Sequence, residues 1–395
     1  MRSQAPSSLH TVRGGSAEGW AAAAYESVSA SMASRHENTE SAASDETNTG
    51  ELVSESMKWI DYRHMHLARI ALNTPDGAEA RIVAASDDSP DRWIDVRAAE
   101  RLRLMRLGAS DAGARRLSAA LVPGSLSSAL EAGPTFLEAA QAAAQSADEE
   151  ARAPESARLL APIDPRAYRD FMAFEEHFVT MTRKLRGTDP APVLYELPVS
   201  YFGNAHAVLG PDDEIPWPHY SEHMDYELEL GIVIGTAGRN IAPEDAEKHV
   251  LGLTVFNDFS ARDIQMTEMT GGLGPSKGKH FGSAVGPRIV TLDALPDALQ
   301  MTARINGEVW SEGSTGTLMW SIGELVAWAS ASEPLVAGTL LGSGTVGGGC
   351  GGELDRKLNP GDVVELEIEG IGVLRNRLGQ PAPGWMPQPK TPSAV

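Results

Sequence analysis

The run Met224-Asp225-Tyr226-Glu227-Leu228-Glu229-Leu230-Gly231-Ile232-Val233-Ile234 constrains this 395-residue chain more than any other. Its apolar residues recur at every second position, the period of a β-strand. Tyr226, Leu228, Leu230, Ile232 and Ile234 then share one face and belong to a core. Glu227 and Glu229 project together from the other face, where like charges repel. Solvent around both carboxylates would relieve the repulsion, and so would a cation between them. Gly231 and Val233 come next on that face, where a water-exposed surface would show mixed Lys, Thr and Glu. That pattern favours the cation, but the strand alone leaves both readings open.

Charge and cysteine content exclude several classes. Lys and Arg number 33 against 54 Asp and Glu, a formal net charge of −21. Phosphate contacts need basic side chains, so nucleic acid is not an expected partner. Anionic lipid surfaces would repel the chain. The most apolar stretch, 325–341, is broken by Ser330, Ser332, Glu333 and Pro334, short of the ~18 apolar residues a membrane helix needs. No apolar segment follows Arg2, so no secretory signal is expected and the cytoplasm is the expected location. A lone cysteine, Cys350, gives neither an internal disulfide nor a structural zinc site.

Texture divides the chain. Residues 1–57 are rich in Ser and Ala and poor in large aliphatics, as expected of a disordered extension. Residues 58–153 read as a small N-terminal β-containing domain. Strands at 64–72 and 80–85 flank the turn Thr74-Pro75-Asp76-Gly77, and Ala/Leu/Arg-rich helices follow, broken at Pro123-Gly124. Residues 154–380 read as the larger domain, with a helix over 165–185 and then short strands with Gly- and Pro-rich turns. Asn306-Gly307 marks a hairpin. Residues 381–395 read as a disordered tail. The fold class is mainly β with helices (α+β).

Further polar residues join the two glutamates. Asp258 ends a strand predicted over 251–257; it reads equally well as a turn or N-cap residue or as a ligand. Asp170 and His177 lie seven residues apart on the predicted helix, within about 20° of the same face. The segment 271–282 departs from the phosphate-loop pattern, with His280 where Ser or Thr belongs. Its Lys279, beside an anionic cluster, could serve as an oxyanion clamp. The Gly-rich segment 342–350 lacks the strand–turn–helix context of an esterase, and nothing in it marks Cys350 as a nucleophile.

Taken in order, these residues resemble the fumarylacetoacetate hydrolase family. The resemblance covers about 165–379 and rests on Asp225-Tyr226-Glu227-Leu228-Glu229-Leu230 and Asn257-Asp258-Phe259-Ser260-Ala261-Arg262-Asp263-Ile264-Gln265. Gly278-Lys279-His280-Phe281-Gly282, Ser343-Gly344-Thr345 and Pro360-Gly361-Asp362-Val363 support it. It implies that family's mixed β-sheet roll, a homodimer, and metal binding by Glu227, Glu229 and Asp258. Asp170 looks like the fourth carboxylate of the histidine-containing hydrolase branch. His177 resembles that branch's water-activating base, and Glu353 the acid that orients it. Arg262, Gln265 and Lys279 match positions that stabilise oxyanion charge or bind substrate; Arg186, Tyr201 and Thr345 resemble substrate-contacting positions. Met172 and Met269 stand where the namesake branch carries tyrosines, which points to a less polar acyl group than that of fumarylacetoacetate.

Four carboxylates without a soft ligand suit a hard ion, Mg²⁺ or Ca²⁺. The implied activity is metal-dependent hydrolysis of a carbon–carbon bond in an acylpyruvate or similar 2,4-diketo acid. The alternative on the same fold is an isomerase, tautomerase or decarboxylase of a 2-oxo acid.

Overall fold

A computed structural model describes residues 64–74 and 77–390, all within one compact unit, Trp59–Val395. The extension expected over 1–57 lies outside the described residues. Among those described, no helix is long and apolar enough to cross a membrane.

The chain enters through a hairpin, β1 (Met65–Thr74) and β2 (Gly77–Ser86), followed by the short β3 (Ile94–Asp95). Helices Val96–Arg106, Asp111–Leu121, Leu126–Ala129 and Pro134–Ala144 come next. The Asp95 side chain caps the first and Ser110 the second, each accepting a backbone N–H of the opening turn. Then follow β4 (Arg158–Leu160), β5 (Ala167–Phe171), helix Glu175–Arg186, β6 (Ser200–Phe202), β7 (Val208–Leu209), β8 (Glu214–Ile215) and β9 (Met224–Asp225). The central strands are β10 (Leu228–Ile234), β11 (Val250–Asn257), the short β12 (Ser260–Ala261) and β13 (Ser283–Val290), with helix Arg262–Met269 between the last two. A hairpin of β14 (Gln300–Ile305) and β15 (Glu308–Ser314) leads to helix Ile322–Ser330. The chain continues through β16 (Thr339–Thr345), the short helix Gly351–Leu354, β17 (Val363–Ile368) and β18 (Gly372–Leu378).

Over the described residues the strands form an eleven-stranded mixed sheet in the order β3-β2-β1-β13-β11-β10-β16-β5-β6, with β4 on β1 and β7 on β13. A five-stranded sheet, β15-β14-β17-β18-β8, accompanies it. The fold is therefore α+β around large mixed sheets, as the sequence pattern indicates. Asn306 and Gly307 both take positive φ (52° and 82°), as a type I′ hairpin turn requires.

Every residue of β10 is buried. Leu228, Leu230, Ile232 and Ile234 pack in one core with Met301, Ile305, Leu366 and Leu374 of the smaller sheet. Val233 points the other way, into a second core with Leu126, Phe136, Leu137 and Ala140 of the early helices. Glu227 and Glu229, on the same side as Val233, are buried as well. The domain boundary read near residue 154 falls inside this arrangement: β1 pairs with β13, and the early helices pack on the same sheet.

The helix expected over 165–185 is corrected. Residues 167–171 form β5, parallel to β16 on one side and antiparallel to β6 on the other, and the helix begins at Glu175. Phe171, Phe174, Phe178 and Met181 are all buried, but Leu185 is half exposed. Helical spacing of aromatics cannot outweigh pairing on both edges of a strand. Asp170 and His177 thus sit on different elements. The strand expected over 224–234 also divides, since β9 pairs with β12 before β10 begins. Residues 381–390 carry neither helix nor strand.

Phe136 is fully buried in the shared core. Phe136→Ala should destabilise the protein by about 3–5 kcal/mol in urea unfolding. A chain cut to residues 154–395 should lose cooperative melting, because it lacks β1, one of the partners of β13, and the helices that share a core with Val233. A sharp two-state melt of that fragment would contradict the shared core.

Candidate active site and metal centre

The sheet order assembles the site. Asp258 follows β11, Glu227 and Glu229 lie on and just before β10, Asp170 lies on β5, and Tyr201 lies on β6 opposite Asp170. Between β10 and β5 runs β16, where Gly342 is the partner of both Gly231 and Asp170. A Cβ at residue 342 would fall on Asp170 Oδ1 and come within 3.0 Å of Glu229 Oε2. Its absence lets carboxylates from β5 and β10 meet across β16. Carboxylate oxygens of Asp170, Glu227, Glu229 and Asp258 lie within 4.8 Å of one another, and all four residues are buried.

Backbone and hydroxyl donors hold these acids. The N–H of Gly344 points at Asp170 Oδ1 and Glu229 Oε2, 3.2 Å from each. Thr345 Oγ1 lies 3.4 Å from Glu229 Oε1. Ser283 donates to Asp258 Oδ1 at 3.1 Å and Tyr201 to Asp258 Oδ2 at 2.5 Å. Lys279 Nζ joins Glu227 to Asp258, 2.5 Å from Asp258 Oδ2. Arg262 bonds Glu227 Oε1 (2.8 Å), Asp225 Oδ2 (2.9 Å) and Gln265 Oε1 (3.2 Å).

Charge is not balanced. Asp170, Asp225, Glu227, Glu229 and Asp258 are five buried acids against two buried cations, Lys279 and Arg262. The consequence divides the acids. Glu227 is buried, yet Lys279 and Arg262 outweigh that and hold it down to about 2. Burial first, then the neighbouring Asp258 charge, push Asp170 well above the carboxylate range. Burial and the Asp170 charge do the same to Glu229. A hard divalent cation supplies the missing positive charge to an all-oxygen donor set, so these residues fit one.

The second part of the site is a histidine–carboxylate pair. His177 Nδ1 lies 2.8 Å from Glu353 Oε2, with both side chains buried. His177 is in the first turn of helix Glu175–Arg186, anchored by Phe174 and Phe178. Glu353 is on the short helix after β16, and its Oε1 accepts the Gly348 N–H at 3.1 Å. Burial opposes ionisation of Glu353, but the hydrogen bond and charge of His177 outweigh it, so its carboxyl lies below the ordinary value. An ionised Glu353 assigns the Nδ1 proton to the histidine and leaves Nε2 as the free ring nitrogen.

Of the residues named from sequence, eleven meet here: the four acids with Lys279, Arg262, Gln265, Tyr201 and Thr345 in one bonded set, and His177 with Glu353 as a pair; Arg186 does not join them. That residue is exposed at the far end of its helix, about 13 Å along the axis from His177. Met172 is exposed and Met269 half-buried. Sequence reasoning gave no role to Asp225, which accepts the N–H groups of Gly351 (2.8 Å) and Gly352 (3.1 Å) as well as Arg262. It thereby ties the metal-side arginine to the loop that carries Glu353. Its place two residues before Glu227 on the same alternating face was the available signal.

Residues 166–379 match the family model described as fumarylacetoacetate (FAA) hydrolase C-terminal. The chain belongs to the fumarylacetoacetate hydrolase family. Members of this family are enzymes and bind divalent metal ions. The chain is 37% identical to human mitochondrial oxaloacetate tautomerase over 186 residues, 46% of this chain and 59% of that protein. It is 37% identical over 183 residues to an uncharacterised protein of Methanocaldococcus jannaschii, covering 46% of this chain and 73% of the relative. Among solved structures, a fumarylacetoacetate hydrolase from Exiguobacterium antarcticum superposes with a TM-score of 0.60 at 26% identity, over 80% of this chain and 99% of that one. A 2-hydroxyhepta-2,4-diene-1,7-dioate isomerase from Mycobacterium marinum gives 0.52 at 25% identity, over 80% and 98%.

Two outcomes follow for the acid cluster. A cation must displace the protons that the raised Asp170 and Glu229 retain, so binding should release protons and tighten as pH rises. Near neutral pH, Mg²⁺ calorimetry should give heats that vary with the ionisation enthalpy of the buffer; identical heats in all buffers would contradict this. Gly342→Ala should weaken Mg²⁺ binding by about tenfold or more, because its methyl takes the space where Asp170 and Glu229 meet.

Proposed function

We propose that this chain is a divalent-metal-dependent hydrolase that cleaves a carbon–carbon bond in an acylpyruvate-like 2,4-diketo acid. The observation that carries this reading is the buried His177–Glu353 pair, supplied from separate elements beside the acid cluster. A tautomerase needs proton transfer to and from carbon, but a hydrolase must also activate water, which is the task such a pair suits.

Asp170, Glu227, Glu229 and Asp258 would hold Mg²⁺ or Ca²⁺, which when bound supplies Lewis acidity to adjacent substrate oxygens and stabilises an enolate. His177 Nε2 takes a proton from water while Glu353 steadies the imidazolium that results. The activated water adds to the distal carbonyl. Lys279 and Tyr201 present donors toward the carboxylate face, and Lys279 stays a cation because Asp258 and Glu227 outweigh its burial. Carbon–carbon cleavage then leaves an enolate, which His177 can protonate at carbon. Arg262 acts in this scheme by fixing Glu227, and Gln265 by fixing Arg262. Thr345 borders the acid cluster through its hydroxyl on Glu229. Met172 and Met269 in place of hydroxyl-bearing side chains favour a less polar acyl group. A homodimer belongs to the same proposal.

A second reading, isomerase or tautomerase of a 2-oxo acid, is favoured by the human relative's name and by the isomerases among the solved structures. There His177 would move a proton between carbon and oxygen without consuming water. Turnover of a panel of acylpyruvates and 2-oxo acids in heavy-oxygen water separates the two. Hydrolysis puts one heavy oxygen into the carboxylic acid product; a shifted double bond without bond cleavage would favour the second reading. His177→Ala should lower kcat by about 10²–10⁴-fold and leave Mg²⁺ affinity unchanged; an unchanged kcat would remove His177 from the mechanism.

A further inference from the structure

Beside the hard-acid centre lies a cluster of another kind. Ligand atoms of His177, Cys350 and Glu353 lie within 4.8 Å of one another, and all three residues are buried. Glu353 Oε1 is occupied by the Gly348 N–H, so Oε2 is the oxygen turned toward the other two. It lies 2.8 Å from His177 Nδ1 and 3.5 Å from Cys350 Sγ. Nitrogen, thiolate sulfur and carboxylate oxygen make a borderline-soft donor set, unlike the four oxygens of the neighbouring centre.

We propose that His177, Cys350 and Glu353 form a second metal site that captures a thiophilic divalent cation, Zn²⁺ above all, and that its occupation takes the histidine out of use. Tetrahedral Zn²⁺ with bonds of about 2.0–2.3 Å sets ligand spacings of about 3.6 Å for S···O and about 3.4 Å for N···O. The first matches the 3.5 Å found here, and the second asks the His177–Glu353 contact to open by about half an ångström. On binding, the Cys350 thiol gives its proton to solvent and the single imidazole proton moves from Nδ1 to Nε2; the freed Sγ and Nδ1 lone pairs go to the ion, and the protonated Nε2 can no longer act as a base. The fourth position is left for water. The two centres then discriminate by ligand chemistry: oxygen donors for the hard activating ion, the sulfur-containing triad for the inhibitory one.

Binding at the triad does not depend on the proposed reaction; only the inhibition does. Cys350 is the one cysteine in the sequence, so any thiolate–metal signal comes from it. The full-length protein, saturated with Mg²⁺, is titrated with Co²⁺ as a coloured stand-in for Zn²⁺. The expected result is a near-ultraviolet sulfur-to-cobalt charge-transfer band that Zn²⁺ abolishes. The band should be absent from Cys350→Ser and Cys350→Ala and weakened in His177→Ala. Zn²⁺ affinity should fall by about tenfold or more in Cys350→Ser. Zinc absorption spectroscopy of the unmodified protein needs no variant, and should show one sulfur at about 2.3 Å. No cobalt–thiolate band and no sulfur around zinc would overturn the proposal. A band without Zn²⁺ inhibition would leave the site standing and count against the role given to His177.

Discussion

Asp170 and Glu229 meet across a strand because residue 342, between them, has no side chain. Much of the site depends on that approach. It brings acids from β5 and β10 together with Asp258 at the end of β11, and it leaves five buried carboxylates facing two buried cations. An isolated charge in such surroundings costs several kcal/mol. The protein answers with fixed donors: the Gly344 N–H, Ser283, Tyr201, Lys279 and Arg262 each hold a carboxylate in place. What remains is a deficit of positive charge in an oxygen-lined space, which a hard divalent ion suits.

The His177–Glu353 pair is attached to this centre by covalent and hydrogen-bonded paths. Asp225 binds Arg262 on one side and the backbone of Gly351 and Gly352 on the other, and those residues lead directly to Glu353. Lys184 adds a second tie, donating to the Glu353 carbonyl at 2.6 Å from the helix that carries His177. The histidine pair and the acid cluster are therefore positioned against each other through rigid elements. Enzymes of this family with hydrolase and isomerase names share the fold. In this chain a histidine held by a carboxylate stands beside the acid cluster.

Much of this was legible in the sequence, and the parts that were not have physical causes. The alternation from Tyr226 to Ile234 disclosed the strand and the shared face of Glu227 and Glu229, because side-chain direction in a strand follows position alone. It did not disclose that Val233, next on that face, belongs to a core shared with Phe136 and Leu137 of the early helices, a matter of tertiary packing. The period of Phe171, Phe174 and Phe178 suggested a helix across Asp170. Pairing with β16 and β6 overrode it, and no local pattern reports pairing between distant segments. Gly342 escaped notice for the same reason: it acts on residues more than a hundred positions away.

The central claim is that four acids from separate segments hold one divalent ion. It is tested most directly by anomalous diffraction from crystals grown with Mn²⁺. The expected result is a single strong peak within about 2.6 Å of oxygens from Asp170, Glu227, Glu229 and Asp258. No peak at that position under saturating Mn²⁺, with the four side chains ordered, would contradict it.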